Sequence, residues 1–310
     1  MMTRRETRIT NVIRSRGVAV LLMLLGVWMA WRAPGIDLTL PLQGGALMLT
    51  LATGGLMIAI NRHFNLLRTS SMFFAALFVV ATCATPGIFD TGIIPPLLAL
   101  VVTAAMGLMF SLYNQRRSDR RIFLVFTLLS AGALADLVFL LYVPVFLAGI
   151  AQMRIFRFKK IVAAVMGLVT PWWIAWGLGL MTLPRLPHIF FTPPSMLAGL
   201  PVGWPFIVAV GLTLLTGFFT GVLNLIRIIG FNAKSRALNG LLSLVSIVTG
   251  ALCVINFTAL PTYVVLLNAC VAFQVGHFFR ATANSRGYIF VLALLASYIG
   301  LFIWNIIRLG

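Results

Sequence analysis

The sequence predicts an all-α, polytopic membrane protein. Three observations predict it. Of the 310 residues, 61% are hydrophobic and only 9% charged, which leaves too little polar surface for one or two water-soluble domains. Apolar runs recur along the whole chain at lengths near the roughly 20 residues that a helix needs to cross about 30 Å of hydrocarbon. The cations collect in alternate connections between those runs, as the positive-inside rule requires.

The runs lie at 17–32, 44–61, 69–84, 94–113, 122–135, 137–153, 161–180, 202–226, 238–255, 258–279 and 287–307, which predicts about 11 transmembrane helices. No connection is long enough to fold alone, so 17–310 reads as a single transmembrane helical domain. Residues 1–16, "MMTRRETRITNVIRSR", read as a basic cytoplasmic leader. They are not the start of a signal peptide, because the run that follows lacks a small-residue cleavage site.

With the N-terminus cytoplasmic, 20 of the 23 Lys and Arg residues fall on the inner side, and only Arg32, Arg185 and Arg308 fall outside. The net charge of +18 is thereby explained without nucleic acid as a partner. The tryptophans give an independent check, since the indole ring favours the headgroup level. Trp28, Trp31, Trp172, Trp173, Trp176, Trp204 and Trp304 all come out toward the outer ends of their runs.

Cys83, Cys253 and Cys270 show no metal-ligand spacing and are expected as buried thiols. The outer connections carry the proline: "RAPGIDLTLPLQGG", "ATPGIFDTGIIPP" and the longest, residues 181–201, which is expected to lie along the interface. Gly217 and Gly221 form a GxxxG pair, expected to pack within the chain rather than to drive dimerisation.

Five residues are acidic. Glu6 and Asp119 sit among arginines and read as local charge partners. Asp37, Asp90 and Asp136 come out on the outer side. The first two stand in turn-rich loops, where Asp is ordinary turn chemistry. Asp136 reaches that side because 122–153 is about 48 Å long as one helix, too long for one crossing and short for two. A hairpin with its tip near Asp136 solves this, with Tyr142 and Pro144 in the returning arm. There Asp136 either caps the returning helix or serves a functional site.

The stretch from Arg120 to Trp176 resembles the middle of the C-type glycosyltransferase superfamily, multipass enzymes that take sugars from polyprenyl phosphates. The residues that carry the resemblance are the Gly/Ala-rich run "FTLLSAGALAD", the proline-broken "LVFLLYVPVFLAGI", the basic loop "RIFRFKK" and "IVAAVMGLVTPWW", which closes in Pro-Trp. The basic "NQRRSDRR" precedes them. The chain resembles still more closely an uncharacterised family of multipass proteins of similar length in Gram-negative bacteria. These resemblances imply a glycosyltransferase-C-like helical bundle in the bacterial inner membrane.

They also imply a catalytic base in the first outer loop, which falls on Asp37. Arg32 or Arg185 would then hold the leaving phosphate, with His188 as a further donor. Asp90 or Asp136 would complete with Asp37 a site whose oxygen ligands suit magnesium or manganese. The chain departs from the superfamily in two respects: Asp37 is not one of a close acidic pair, and the large outer domain of many members has no counterpart. Two other classes remain open. A non-catalytic scaffold working with a membrane protein partner explains the scarcity of polar groups. A transporter or flippase would use the outer carboxylates for coupling. His63, His188 and His277 fall on different faces, which argues against a shared iron site.

Overall fold

The computed structural model describes residues 10–13, 15–33, 35–67, 72–115, 118–180, 203–281 and 287–309. Among these every regular element is helical. The helices are α1 (Arg16–Arg32), α2 (Pro41–Phe64), α3 (Phe73–Cys83), α4 (Ile94–Phe110), α5 (Asp119–Ala135), α6 (Val143–Gln152), α7 (Phe158–Gly177), α8 (Trp204–Ile228), α9 (Ala233–Ile255), α10 (Leu260–Ala281) and α11 (Gly287–Leu309). A 3-10 segment, Leu137–Tyr142, leads into α6, and a single turn, Gly87–Asp90, precedes α4.

Local chemistry sets many of the helix starts. Proline stands in the first turn of α2, α4, α6 and α8, where its missing N–H is no loss and its fixed φ suits the helix. Ser15 caps α1 by accepting from the Val18 N–H at 3.3 Å, and Asn232 caps α9 by accepting from Ser235 at 2.9 Å.

Each predicted run falls on a helix, but six helical stretches are long and apolar enough to cross a membrane: Pro41–Phe64, Phe158–Gly177, Trp204–Ile228, Ala233–Ile255, Phe257–Arg280 and Gly287–Ile307. Helices α1, α4 and α5 have 17 residues each, about 26 Å, at the lower limit for a crossing. Helix α3 has 11 residues, about 16 Å. All 11 are buried, so α3 is walled by protein and has no bilayer thickness to match.

Large apolar side chains face outward in belts, including Val165, Met166, Trp173 and Ile174 of α7 and Leu215, Phe218 and Phe219 of α8. Exposed apolar surface of that extent fits a chain in lipid rather than in water. The interior is built around α10. In an 18-residue apolar window of Phe257–Arg280, 89% of residues are buried, against 33% in the corresponding window of Trp204–Ile228, and α10 packs on α3, α4, α8 and α9.

Polar side chains of α10 tie it to its neighbours. The Asn268 amide donates to Thr82 Oγ1 at 3.3 Å, Gln274 Nε2 donates to Ser246 Oγ at 3.0 Å, and Asn224 Nδ2 donates to the Gln274 carbonyl at 2.9 Å. Such bonds are worth about 0.6 kcal/mol each in apolar surroundings. The GxxxG pair is used within the chain: a Cβ on Gly217 would stand 2.7 Å from Val271, and one on Gly221 3.3 Å from Gln274. All three cysteines are free and buried.

The hairpin is present. The chain breaks at Asp136, which is extended (φ −155°, ψ 129°), and returns through the 3-10 segment and α6. Residues 111–115 touch both feet of the hairpin, because Arg121 donates to the Ser111 carbonyl at 3.2 Å and the Asn114 N–H donates to the Met153 carbonyl at 3.2 Å. Helix α7 then runs parallel to α5, with Lys160 beside Ser118, Gly167 against Phe123 and Phe126, and Ser130 donating to the Leu168 carbonyl. The bundle therefore has two chemically distinct ends. Asp37, Asp90, Asp136 and the described tryptophans mark one; Arg121, Arg154, Arg227 and Arg280 mark the other.

Candidate functional site

The acidic end is organised by Gln43, in the first turn of α2. Its Oε1 accepts from the Asp37 N–H at 2.6 Å, while its Nε2 donates to Asp90 Oδ1 at 2.9 Å. One amide thus straps the loop between α1 and α2 to the turn before α4. The approach is close, since a Cβ on Gly44 would lie 2.6 Å from the Leu38 carbonyl. The register continues down the pair, where Ile60 of α2 packs on Gly107 of α4.

The two carboxylates are held differently. Asp37 is exposed, and its Oδ1 accepts from both the N–H (2.9 Å) and the hydroxyl (2.6 Å) of Thr39. These bonds favour the ionised form, with the hydroxyl bond the larger cause, and hold Asp37 below the usual carboxylate range. Asp90 is pushed the other way by partial burial. The strap therefore joins two loops, one with a carboxylate that keeps its charge and the other with one that takes up a proton more readily.

Asp136 does not join them. Its carboxylate accepts from the Val138 N–H at 3.0 Å and caps the returning 3-10 segment, within Coulombic range of Tyr263 at the start of α10. Among the described residues no hydrogen bond links Asp136 to Gln43, Asp37 or Asp90. Arg32 ends α1, exposed, on the same connection as Asp37. Arg185 and His188 lie outside the described residues.

The donor set does not by itself make a divalent-cation site. Among the described residues no three His, Cys, Asp or Glu side chains cluster. The amide group facing Asp90 is a donor rather than an oxygen ligand.

At the basic end Asp119 has a partner that sequence reading did not name. Lys160 Nζ stands 2.7 Å from Asp119 Oδ1 and also bonds Ser118 Oγ. Lys160 is only 2% exposed, although it stands in what reads as a solvated basic loop. The signal was in its phase: Lys160, Ala164, Gly167, Pro171 and Ala175 form the buried stripe of α7. Gln43 also left a trace, as a Gln at the third helical position, where such side chains reach back past the helix start.

Two clefts that share Arg154 lie at this end, one of them lined by Lys160. One, of about 180 Å³, is lined by Asn114, Gln115, Arg154, Ile155, Arg157 and Lys160. The other, of about 280 Å³, is lined by Gln152, Arg154, Ala233, Arg236 and Ala237. No family model, curated protein or solved structure matches the chain.

Proposed function

We propose that the chain is a multi-pass protein of the bacterial inner membrane and a transferase of glycosyltransferase-C-like architecture. It moves a sugar from a polyprenyl phosphate to an acceptor hydroxyl on the periplasmic face. The observation that supports this reading is the Gln43 strap, which ties the loop that carries Asp37 to the turn that carries Asp90. The acceptor oxygen attacks the anomeric carbon, the bond from that carbon to the phosphate oxygen breaks, and the polyprenyl phosphate leaves with the electron pair.

Asp37, the expected base, is fixed as an anion by Thr39. Asp37 would take the acceptor's proton, and Asp90, across the Gln43 strap, would help to bind the substrate. Arg32, Arg185 and His188 would neutralise the leaving phosphate. Asp37 with Asp90 or Asp136 would hold a magnesium or manganese ion, whose charge would help to neutralise the leaving phosphate.

The test is sugar transfer in membranes containing the chain, a labelled polyprenyl-phosphate sugar and an acceptor. Asp37→Asn should abolish transfer and Asp90→Asn should lower it. Full transfer by both variants overturns the reading.

One observation favours a second reading, a non-catalytic scaffold for a membrane protein partner. The Asp37 and Asp136 carboxylates are both engaged by local backbone N–H groups, which is structural work. Stable co-purification of a partner, with alanine tolerated at 37, 90 and 136, would select it.

A further inference from the structure

We propose that the paired clefts at the foot of the hairpin form a binding site for the phosphate headgroup of an anionic lipid, with Arg154 as the shared ligand. The site is independent of the transferase reading and lies at the opposite end of the bundle. Arg154 lines both clefts. Arg157 adds a second guanidinium on one side and Arg236 on the other, and Asn114, Gln115 and Gln152 supply neutral polar groups between them.

Among the described residues the counter-charge is missing. Asp119 is already paired with buried Lys160. Asp37, Asp90 and Asp136 stand at the far end. Among the described residues no carboxylate pairs with Arg154, Arg157 or Arg236. Three guanidiniums around two small polar clefts match a phosphate, whose oxygens accept their N–H groups in pairs.

The backbone carries a second sign. Three described non-glycine residues have positive φ: Asn65, Asn114 and Arg154. Two of them, Asn114 (φ 56°) and Arg154 (φ 59°), line the same cleft. Helix α6 ends with the Ile155 N–H bonded to the Ile150 carbonyl at 3.3 Å, which puts Arg154 in the left-handed slot that glycine ordinarily fills. An arginine held there spends backbone strain to place its side chain between the clefts.

The surroundings say that the phosphate belongs to a lipid. Phe156 is 63% exposed and Phe158 79%, so apolar rings alternate with Arg154, Arg157 and Lys159 along one short connection. Aromatic and basic side chains interleaved at the end of a helical bundle suit the boundary between headgroups and acyl chains. A soluble anion would gain nothing from those rings.

The test uses the full chain, purified and delipidated in detergent. Native mass spectrometry counts bound lipid during titration with phosphatidylglycerol or phosphatidylcholine, and thermal unfolding is followed in parallel with either lipid or with inorganic phosphate. Arg154→Gly removes the guanidinium while favouring the backbone conformation, and Arg154→Asn is a second variant suited to positive φ. Arg227→Gln removes one charge elsewhere at the same end, where Arg227 stands over the Phe278 ring. Phosphatidylglycerol should bind the unaltered chain roughly tenfold more tightly than phosphatidylcholine, and both Arg154 variants should lose that factor while Arg227→Gln stays within about twofold.

Equal retention of the two lipids, an equal loss in Arg227→Gln, or full binding by Arg154→Gly or Arg154→Asn overturns the proposal. Protection by inorganic phosphate alone would assign the clefts to a free anion. Protection by an acidic peptide without lipid would assign them to a protein. Either result also overturns it.

Discussion

The two ends of the bundle handle charge in opposite ways. At the acidic end carboxylates are few and each described one is met by local donors: Asp37 by Thr39, Asp90 by Gln43, Asp136 by the Val138 N–H. At the basic end cations are many. Lys160 is buried against a carboxylate that is itself largely exposed, while among the described residues no carboxylate pairs with Arg154, Arg157 or Arg236. The acidic end is closed upon itself and can act only when a substrate displaces or joins those bonds. At the basic end the proposed lipid phosphate would supply the partner that those guanidiniums lack among the described residues.

The sharpest way to break this contrast is to undo the one internal pairing at the basic end. Asp119→Ala leaves Lys160 buried without its half-exposed carboxylate and should lower stability by about 2 kcal/mol, read by unfolding in mixed micelles. Little or no loss would mean that the Ser118 contact suffices and that the pair matters less than its burial implies. Next comes Gln43→Ala, which frees both acidic loops and should cost about 1–2 kcal/mol. It should also raise the rate of proteolytic cleavage at 34–40 and 86–93 together, because one side chain holds both.

Arg154→Gly should move the other way in lipid-free detergent, stabilising α6 by about 1 kcal/mol through relief of left-handed strain. A loss there would show that the arginine side chain, rather than the backbone, decides the helix end. The smallest effect is in the titration of the acidic end, followed by carboxyl NMR. Asp37 keeps its charge as pH falls through the ordinary carboxylate range, and the stability it lends is lost only when its depressed folded value is passed. Asp90 takes its proton first. Its raised value makes a contribution that is complete below the ordinary range and is lost as pH rises through that value.

Much of this was legible in the chain. The position of each helix followed from apolar runs bounded by Pro, Gly and cations, because hydrocarbon leaves backbone polar groups no partner except the helix itself. The hairpin at Asp136 followed from length alone. What could not be read was which helices meet lipid and which meet protein. Helix α3 is as apolar as a crossing but is shorter and wholly enclosed, and composition does not tell a protein wall from a lipid one. The strap between Asp37 and Asp90 was hidden for a related reason. Gln43 is 47 residues from Asp90, and only the packing of α2 along α4 brings them together. Arg154 was quoted in "RIFRFKK" as one cation among several. Its left-handed backbone leaves no mark in residue type, since the slot is normally announced by Gly or Asn.

The enclosure of α3 by α10 has a consequence for biosynthesis. Asn268 meets Thr82 across 186 residues of chain, and at about 5–20 residues per second a ribosome takes roughly 10–40 s to bridge that gap. Throughout that interval the nascent N-terminal half carries an 11-residue apolar helix too short to rest in a bilayer and not yet walled by its final neighbour. The insertion machinery, or an early non-native contact, must shelter it until the tenth helix arrives. Truncations that stop before residue 260 should therefore be degraded rather than accumulate as half-molecules.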